Sequence, residues 1–224
     1  MPTLPLCLLV YYFLMNETSE NPNPSQNLLT STPKADIKKP IRVGFDLDGV
    51  LFFNPLRVVR RPIEIFKKYI LRKDTMNFYI PKTKAEKLMW KIVHMSSLTP
   101  ARGWENIRKL TQEGLIEPYL ITARFACLKN DFGRCKMRIK ADEYFAGTFH
   151  NDKDEQPHLF KERMVRELGI EYFVEDNWNI VDHLSKNTST KVLWISNIAD
   201  NDIKFDERFS DLEKAIKRLS ELVS

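Results

Sequence analysis

The chain has 224 residues, of which 43% are hydrophobic and 29% are charged, with a formal net charge of +5. These values are ordinary for a soluble globular protein, and the net charge is too small to indicate nucleic-acid binding unless it is clustered. The three cysteines, Cys7, Cys127 and Cys135, are an odd number without metal-site spacing. They indicate reduced thiols, and we expect a cytoplasmic location.

The first 39 residues differ in composition from the rest. Residues 4–15 are apolar, but the run is too short to span a bilayer and lacks the basic start and cleavage site of a secretory signal. Met15 offers a second possible start, so the run is either upstream of the true start or a degenerate signal. Residues 16–40 are rich in Asn, Ser, Thr and Pro, which predicts a disordered tail. We expect no stable membrane association.

From residue 40 onward, strand and helix patterns alternate. Short apolar runs predict strands at residues 41–47, 118–122, 144–149, 172–175 and 191–196. Helical patterns occupy residues 104–112, 128–139, 160–168 and 210–223, the last with Ser210 and Glu213 as a predicted capping box. This alternation predicts an α/β fold with a doubly wound parallel sheet.

Polar residues stand where three of these strands end. They are Asp46, Asp48, Thr122, Glu175 and Asp176. Ligands bind at the carboxyl ends of parallel strands, so these side chains are expected to converge. Carboxylates packed together repel one another unless a cation neutralises them, and Mg²⁺ is the expected ion for a site of oxygen ligands.

Four motifs in this order resemble those of the haloacid dehalogenase-like superfamily. They are DLDGV at 46–50, Thr122 at the end of PYLIT, Lys161 ahead of a helix, and VEDN at 174–177. The resemblance covers about residues 41–224 and implies a Rossmannoid core. Most members of the superfamily transfer phosphoryl groups. The second aspartate favours phosphate-ester hydrolysis, and the sequence around VEDN is most similar to nucleotidase-type and related small phosphatases.

The resemblance implies a role for each residue. Asp46 is expected to be the nucleophile that forms an aspartyl-phosphate, and Asp48 the general acid that later activates water. Thr122, the backbone at Ala123 and Lys161 are expected to bind the phosphoryl group. The metal site would comprise Asp46, Asp48 through its carbonyl, Asp176 and, directly or through water, Glu175.

Each motif also has a plainer interpretation. DxDG alone is common in surface turns, and Thr122 could instead cap a helix that begins with TAR. Lys153 competes with Lys161 for the role of active-site lysine. The superfamily commonly has a second acid four or five residues after the metal-binding aspartate, whereas this chain has Ile180 and Val181 there, followed by Asp182.

Residues 53–103 interrupt the sheet pattern and are predicted to form a helical cap, with helices at 63–71 and 84–93. The insertion follows the first strand, where the superfamily places its first type of cap. It contains twelve Lys and Arg residues and three acidic ones. This excess is either a solvated helix surface or an electrostatic guide for a polyanionic or nucleotide-like substrate.

The sequence as a whole therefore predicts a Mg²⁺-dependent phosphatase that hydrolyses a small phosphate monoester, with a nucleotide as one candidate. The alternative is a non-catalytic protein of the same fold whose basic cap holds nucleic acid. The complete set of motif residues favours the enzyme, and we do not expect nucleic acid as a partner. Neither the substrate nor the oligomeric state follows from the sequence.

Overall fold

The computed structural model describes residues 39–55, 78–94, 97 and 99–223. The predicted tail therefore lies outside the described residues except for Lys39 and Pro40, and so does the predicted helix at 63–71. Six strands form the main sheet in the order β5-β4-β1-β6-β7-β8, and every neighbouring pair is parallel. The strands are β1 (Ile41–Phe45), β4 (Ile116–Phe125), β5 (Gly147–Asn151), β6 (Tyr172–Glu175), β7 (Lys191–Ile195) and β8 (Arg208–Phe209). The predicted α/β fold with a parallel sheet is confirmed.

Strand β4 is twice as long as predicted, because it begins two residues earlier and continues through the TAR segment to Phe125. Thr122 pairs with His150 and Phe125 pairs with Asn151 of β5, with an irregularity between the two pairs. The alternative in which Thr122 caps a helix is therefore wrong. The short strand β8 was not predicted, since two residues are too few for a periodic pattern.

Seven α-helices are present in the described part of the chain. They are α1 (Lys84–His94), α2 (Trp104–Gln112), α3 (Lys129–Arg138), α4 (Ala141–Tyr144), α5 (Pro157–Leu168), α6 (Trp178–Asn187) and α7 (Leu212–Val223). The predicted strand at 144–149 begins late because Tyr144 belongs to α4. The predicted capping box of the last helix is also wrong, since Asp211 Oδ1 accepts from the Lys214 amide at 3.0 Å while Ser210 donates to Asp211. No helix in these ranges is both long and apolar enough to cross a membrane.

The sheet buries a separate apolar cluster on each face. Val43, Phe45 and Leu120 point to the side that carries α2, α3 and α7. Ile121 and Phe173 point to the other side, where residues of α5 and α6 cover them. Because successive side chains of a strand alternate between faces, the strands are buried on both sides and their carboxyl ends meet at one edge.

The inserted segment leaves and rejoins the core through a small ladder. Strand β2 (Phe52–Phe53) pairs antiparallel with β3 (Thr99–Pro100), outside the main sheet. Helix α1 lies between them in sequence and confirms the helix predicted at 84–93. The Thr83 hydroxyl accepts from the Glu86 amide, and Glu86 accepts from the Thr83 amide, so a capping box begins this helix. The assignment of the whole insertion as a cap stays a prediction.

Candidate active site

The site begins where β1 runs into a tight turn. The Asp46 amide donates to Val174 O at 3.1 Å, which extends the pairing of β1 with β6 by one residue. Gly49 then reverses the chain with a φ of +80°, and its amide donates to Phe52 O at 2.8 Å. A Cβ atom at Gly49 would lie 2.1 Å from Asp176 Oδ2. The turn therefore requires glycine, both for its left-handed backbone and for its close approach to Asp176.

Lys161 lies at the centre of the buried carboxylates. It projects from α5, and its Nζ lies 2.8 Å from Asp46 Oδ1 and also contacts Glu175 Oε2. Only 1% of Lys161 is exposed. Burial alone would lower the pKa of Lys161, but the charges of Asp46 and Glu175 outweigh burial and raise it. Lys161 is therefore held as a cation beside the expected nucleophile.

Glu175 has hydrogen-bond partners at both oxygens. Oε1 accepts from the amides of Asp176 at 3.1 Å and Asn177 at 2.9 Å, and Oε2 contacts Lys161. Burial raises the pKa of Glu175, against the opposing effect of Lys161. These contacts suit a residue that orients Lys161. Direct metal binding by Glu175 stays a prediction.

Asp48 forms an ion pair with Arg124, a residue that we did not single out from the sequence. Arg124 donates from Nε to Asp48 Oδ2 at 2.7 Å and from its terminal nitrogen to Oδ1 at 2.6 Å. Ser97, which follows α1, donates to the same Oδ1 at 2.6 Å, and His94 Nε2 lies 3.9 Å from Oδ2. Burial would raise the pKa of Asp48, but the Arg124 guanidinium, with His94 and Ser97, holds it well below its usual range.

The position of Arg124 near Asp48 could have been predicted from the sequence, whereas that of Ser97 could not. Arg124 lies two residues after Thr122, so alternation along β4 puts both on the same face of the sheet, near the same edge. A cation at that position could have been predicted to form an ion pair with Asp46 or Asp48. Ser97 comes from the inserted segment, and nothing in its local pattern predicts contact with a residue 49 positions earlier.

The remaining predicted residues are placed as follows. Thr122 is 1% exposed at the end region of β4, and its hydroxyl accepts from the Arg124 amide at 3.4 Å. Ala123 is half-buried beside it. Lys153 is exposed, and no contact joins it to Asp46. Asp182 pairs with Lys186 at 2.7 Å on α6 rather than entering the site.

The chemistry of the donor set fits a hard divalent cation. Asp46, Glu175 and Asp176 are buried, and each offers an oxygen within 4.8 Å of the others. With Asp48, four carboxyl groups face two buried cations, Lys161 and Arg124. Burial raises the pKa of Asp46 to about 8, with Lys161 opposing and the neighbouring acids adding to the shift. An added cation would relieve this excess of negative charge.

Solved structures that are similar to this chain include three at low sequence identity. A protein from Thermotoga maritima assigned as a β-phosphoglucomutase is 13% identical, with a TM-score of 0.52 over 81% of this chain and 99% of that chain. A haloacid dehalogenase-superfamily hydrolase from Ehrlichia chaffeensis is 12% identical, with a TM-score of 0.47 over 84% and 100%. CbbY from Rhodobacter sphaeroides, solved with phosphate, is 13% identical, with a TM-score of 0.46 over 77% and 95%.

The chain therefore has the haloacid dehalogenase-like fold, as its motifs predicted. The assignment depends on the first of these structures together with the sheet order, and identities this low establish the fold alone. No protein-family model matches the sequence, and no curated protein matches it significantly.

Proposed function

We propose that the protein is a Mg²⁺-dependent phosphatase that hydrolyses a phosphate monoester through an aspartyl-phosphate on Asp46. The observation that carries the proposal is the 2.8 Å contact between Lys161 Nζ and Asp46 Oδ1, inside a buried carboxylate cluster at the carboxyl edge of the sheet. A nucleophilic carboxylate, a buried cation beside it and a second aspartate two residues on are the parts that phosphoryl transfer needs.

In the first step, an oxygen of Asp46 attacks phosphorus while the bond from phosphorus to the ester oxygen breaks. The leaving oxygen takes a proton from Asp48 and departs as an alcohol. Lys161 steadies the charge on Asp46, and Thr122 with the backbone at Ala123 binds the phosphoryl oxygens. In the second step, water attacks the aspartyl-phosphate and gives its proton to Asp48. Inorganic phosphate leaves, and the Asp46 carboxylate is restored.

Mg²⁺ would be held by Asp46, the backbone carbonyl of Asp48 and Asp176. When bound, it would offset phosphate charge and the excess charge of the carboxylates. Glu175 would keep Lys161 aimed at Asp46, in keeping with its bonds to two backbone amides.

The contacts of Asp48 affect both of its proposed roles, as the acid that protonates the leaving oxygen and as the base that accepts a proton from water. As an anion held by Arg124 and Ser97, Asp48 is suited to accept a proton from water. To donate a proton, it has to release at least one oxygen from these donors and become protonated. A substrate phosphoryl group could draw the Arg124 guanidinium away, because Arg binds phosphate as readily as carboxylate.

The direct test is a screen of the purified protein against phosphorylated metabolites, with Mg²⁺ and with chelator. We expect phosphate release with Mg²⁺ that stops on chelation, and no release by the Asp46→Asn protein in either condition. Full activity in excess chelator, or in Asp46→Asn, would contradict the proposal. Asn is close to Asp in size, so we expect Asp46→Asn to fold like the wild type. Thermal unfolding checks this.

A further inference from the structure

A row of basic side chains on α1 leads to the reaction centre. Lys87, Lys91 and His94 are spaced i, i+4 and i+7, which puts them on one face of the helix. At the inner end of the row, His94 Nε2 lies 3.9 Å from Asp48 Oδ2. Lys91 and Lys87 follow, roughly one and two turns farther away, and each turn of an α-helix advances about 5.4 Å.

This face of α1 borders the carboxyl end of β4. Trp90 shares the face, and its ring centroid lies 6.4 Å from that of Phe125, the last residue of β4. Burial, the largest effect, and the Asp154 carboxylate raise the pKa of the Cys127 thiol just beyond, while Lys87 and Lys91 lower it. The two ammonium groups are therefore near enough to act on the segment that follows β4.

No described acidic group neutralises these two lysines. Neither the Lys87 nor the Lys91 ammonium group makes an ion pair or hydrogen bond with a residue in the described ranges. Glu86 is the one acid of α1, and its carboxylate accepts from the amides of Lys82 and Thr83. Among the described residues, the Lys87 and Lys91 ammonium groups thus have no acidic partner.

Trp90 adds an unsatisfied donor to this face. Its Nε1 is covered from solvent and has no hydrogen-bond partner among the described residues. Buried N–H groups are normally paired, so a missing acceptor at this position needs an explanation. An anionic oxygen that entered between α1 and the end of β4 would supply it. Charged and neutral donors together favour a phosphate or carboxylate over a neutral group.

We propose that Lys87 and Lys91 bind a second anionic group of the substrate, one to two helical turns from the phosphoryl group that is removed. This inference rests on the phosphatase function proposed above and narrows its substrate class. The substrate is then a phosphate ester that carries a further phosphate or carboxylate, rather than the ester of a neutral alcohol. An ordinary solvated helix surface would give no such preference.

The test compares pairs of probes that differ by one anionic group. The pairs are fructose 1,6-bisphosphate with fructose 6-phosphate, adenosine 3′,5′-bisphosphate with adenosine 3′-phosphate, and 3-phosphoglycerate with glycerol 3-phosphate. For the wild type we expect a higher kcat/KM for the more anionic member of each pair that is hydrolysed. In Lys87→Gln/Lys91→Gln, this preference should fall about tenfold, the size expected for losing a charge-assisted hydrogen bond.

A matched control removes two other exposed lysines, Lys204 and Lys217. Lys204→Gln/Lys217→Gln lowers the net charge by the same amount and should keep the wild-type preference. The proposal is overturned if the wild type shows no preference in any pair, or if both double variants reduce the preference equally. The more anionic probe should also lose its advantage at high salt, because screening weakens exposed charge pairs.

Failure of the proposed function gives a different pattern. If no compound of the metabolite screen is hydrolysed with Mg²⁺, the phosphatase assignment fails, and calorimetric binding of the paired probes still decides this inference. Tighter binding of the bisphosphates that is lost in Lys87→Gln/Lys91→Gln supports the anion site. Equal binding of both members of each pair, or equal loss in the control, overturns it.

Discussion

The guanidinium of Arg124 holds both carboxylate oxygens of Asp48, at 2.7 Å and 2.6 Å. Only 4% of Arg124 is exposed, and its third nitrogen points to Cys135 Sγ at 3.7 Å. The pair joins the turn after β1 to the carboxyl end of β4, so it fixes the geometry of this edge of the sheet as well as the charge of Asp48.

Removing Arg124 should therefore destabilise the fold as well as impair turnover. Arg124→Ala leaves the buried charge of Asp48 without its main partner, which costs about 3–5 kcal/mol. Asp48→Leu/Arg124→Met, which replaces both charges with apolar groups, should be more stable than Arg124→Ala. Urea unfolding measures both effects. If Arg124→Ala is as stable as the wild type, the ion pair does not hold this edge together.

Gly49 is expected to tolerate no side chain. Gly49→Ala puts a β-carbon into the left-handed region, at a cost of about 1–2 kcal/mol, and drives it against the Asp176 carboxylate. We expect lower stability and a larger loss of Mg²⁺-dependent activity, because Asp176 is displaced. The informative control is Gly114→Ala, since Gly114 also has a positive φ of 70° but open space around it. Equal effects of the two substitutions on activity would rule out the Asp176 contact as the cause.

Titration with Mg²⁺ can distinguish the roles predicted for Asp176, which would bind the metal, and Glu175, which would orient Lys161. Asp176→Ala should raise the Mg²⁺ concentration needed for half-maximal activity. Glu175→Ala should mainly lower kcat, because it frees Lys161 from its partner. Ca²⁺ should replace Mg²⁺ poorly, since its larger and looser coordination misplaces the nucleophile. A larger rise in the Mg²⁺ requirement for Glu175→Ala than for Asp176→Ala would show that Glu175 is the more important metal ligand.

The start of α1 should be sensitive to acid. Hydrogen bonds from Tyr79 and from the Thr83 and Lys82 amides lower the pKa of Glu86 from 4.5 to about 2. A carboxyl whose pKa is lowered on folding stabilises the native state above its unfolded pKa and loses this contribution as the pH falls toward its folded pKa. Hydrogen exchange of α1 amides should thus differ between wild type and Glu86→Ala at pH 6 and differ less at pH 3. An unchanged difference at both values would show that the capping contacts do not depend on ionised Glu86.

The sequence predicted the parts of the fold that depend on local pattern. The apolar runs gave the strands of the sheet except the two-residue β8, and the motif order brought Asp46, Lys161 and Asp176 to one edge. The long-range contacts were not predictable in the same way. Ser97 reaches Asp48 only because the insertion returns to the core through β2 and β3. The register between β4 and β1 that sets Arg124 opposite the Asp48 turn is likewise a tertiary property.

The boundaries that failed did so for physical reasons. Thr122 could begin a helix by composition, but pairing with β5 at Thr122 and Phe125 keeps β4 extended beyond Leu120, where its pairing with β1 ends. At the last helix, Asp211 is a stronger acceptor than the Ser210 hydroxyl, and it takes the cap one residue later. Competition between neighbouring capping residues is decided by geometry that the sequence does not contain.

The central claim is that Asp46 is the residue that becomes phosphorylated. The most direct measurement is acid quenching during turnover of a phosphate ester with a good leaving group, followed by mass analysis of the peptide that contains Asp46. Asp48→Asn should raise the trapped fraction, since it slows attack by water on the intermediate. We predict one hydroxylamine-sensitive phosphoryl group on Asp46 in the wild type and in Asp48→Asn, and none in Asp46→Asn. Turnover without any phosphorylated protein, or phosphate trapped on another residue, would contradict the account.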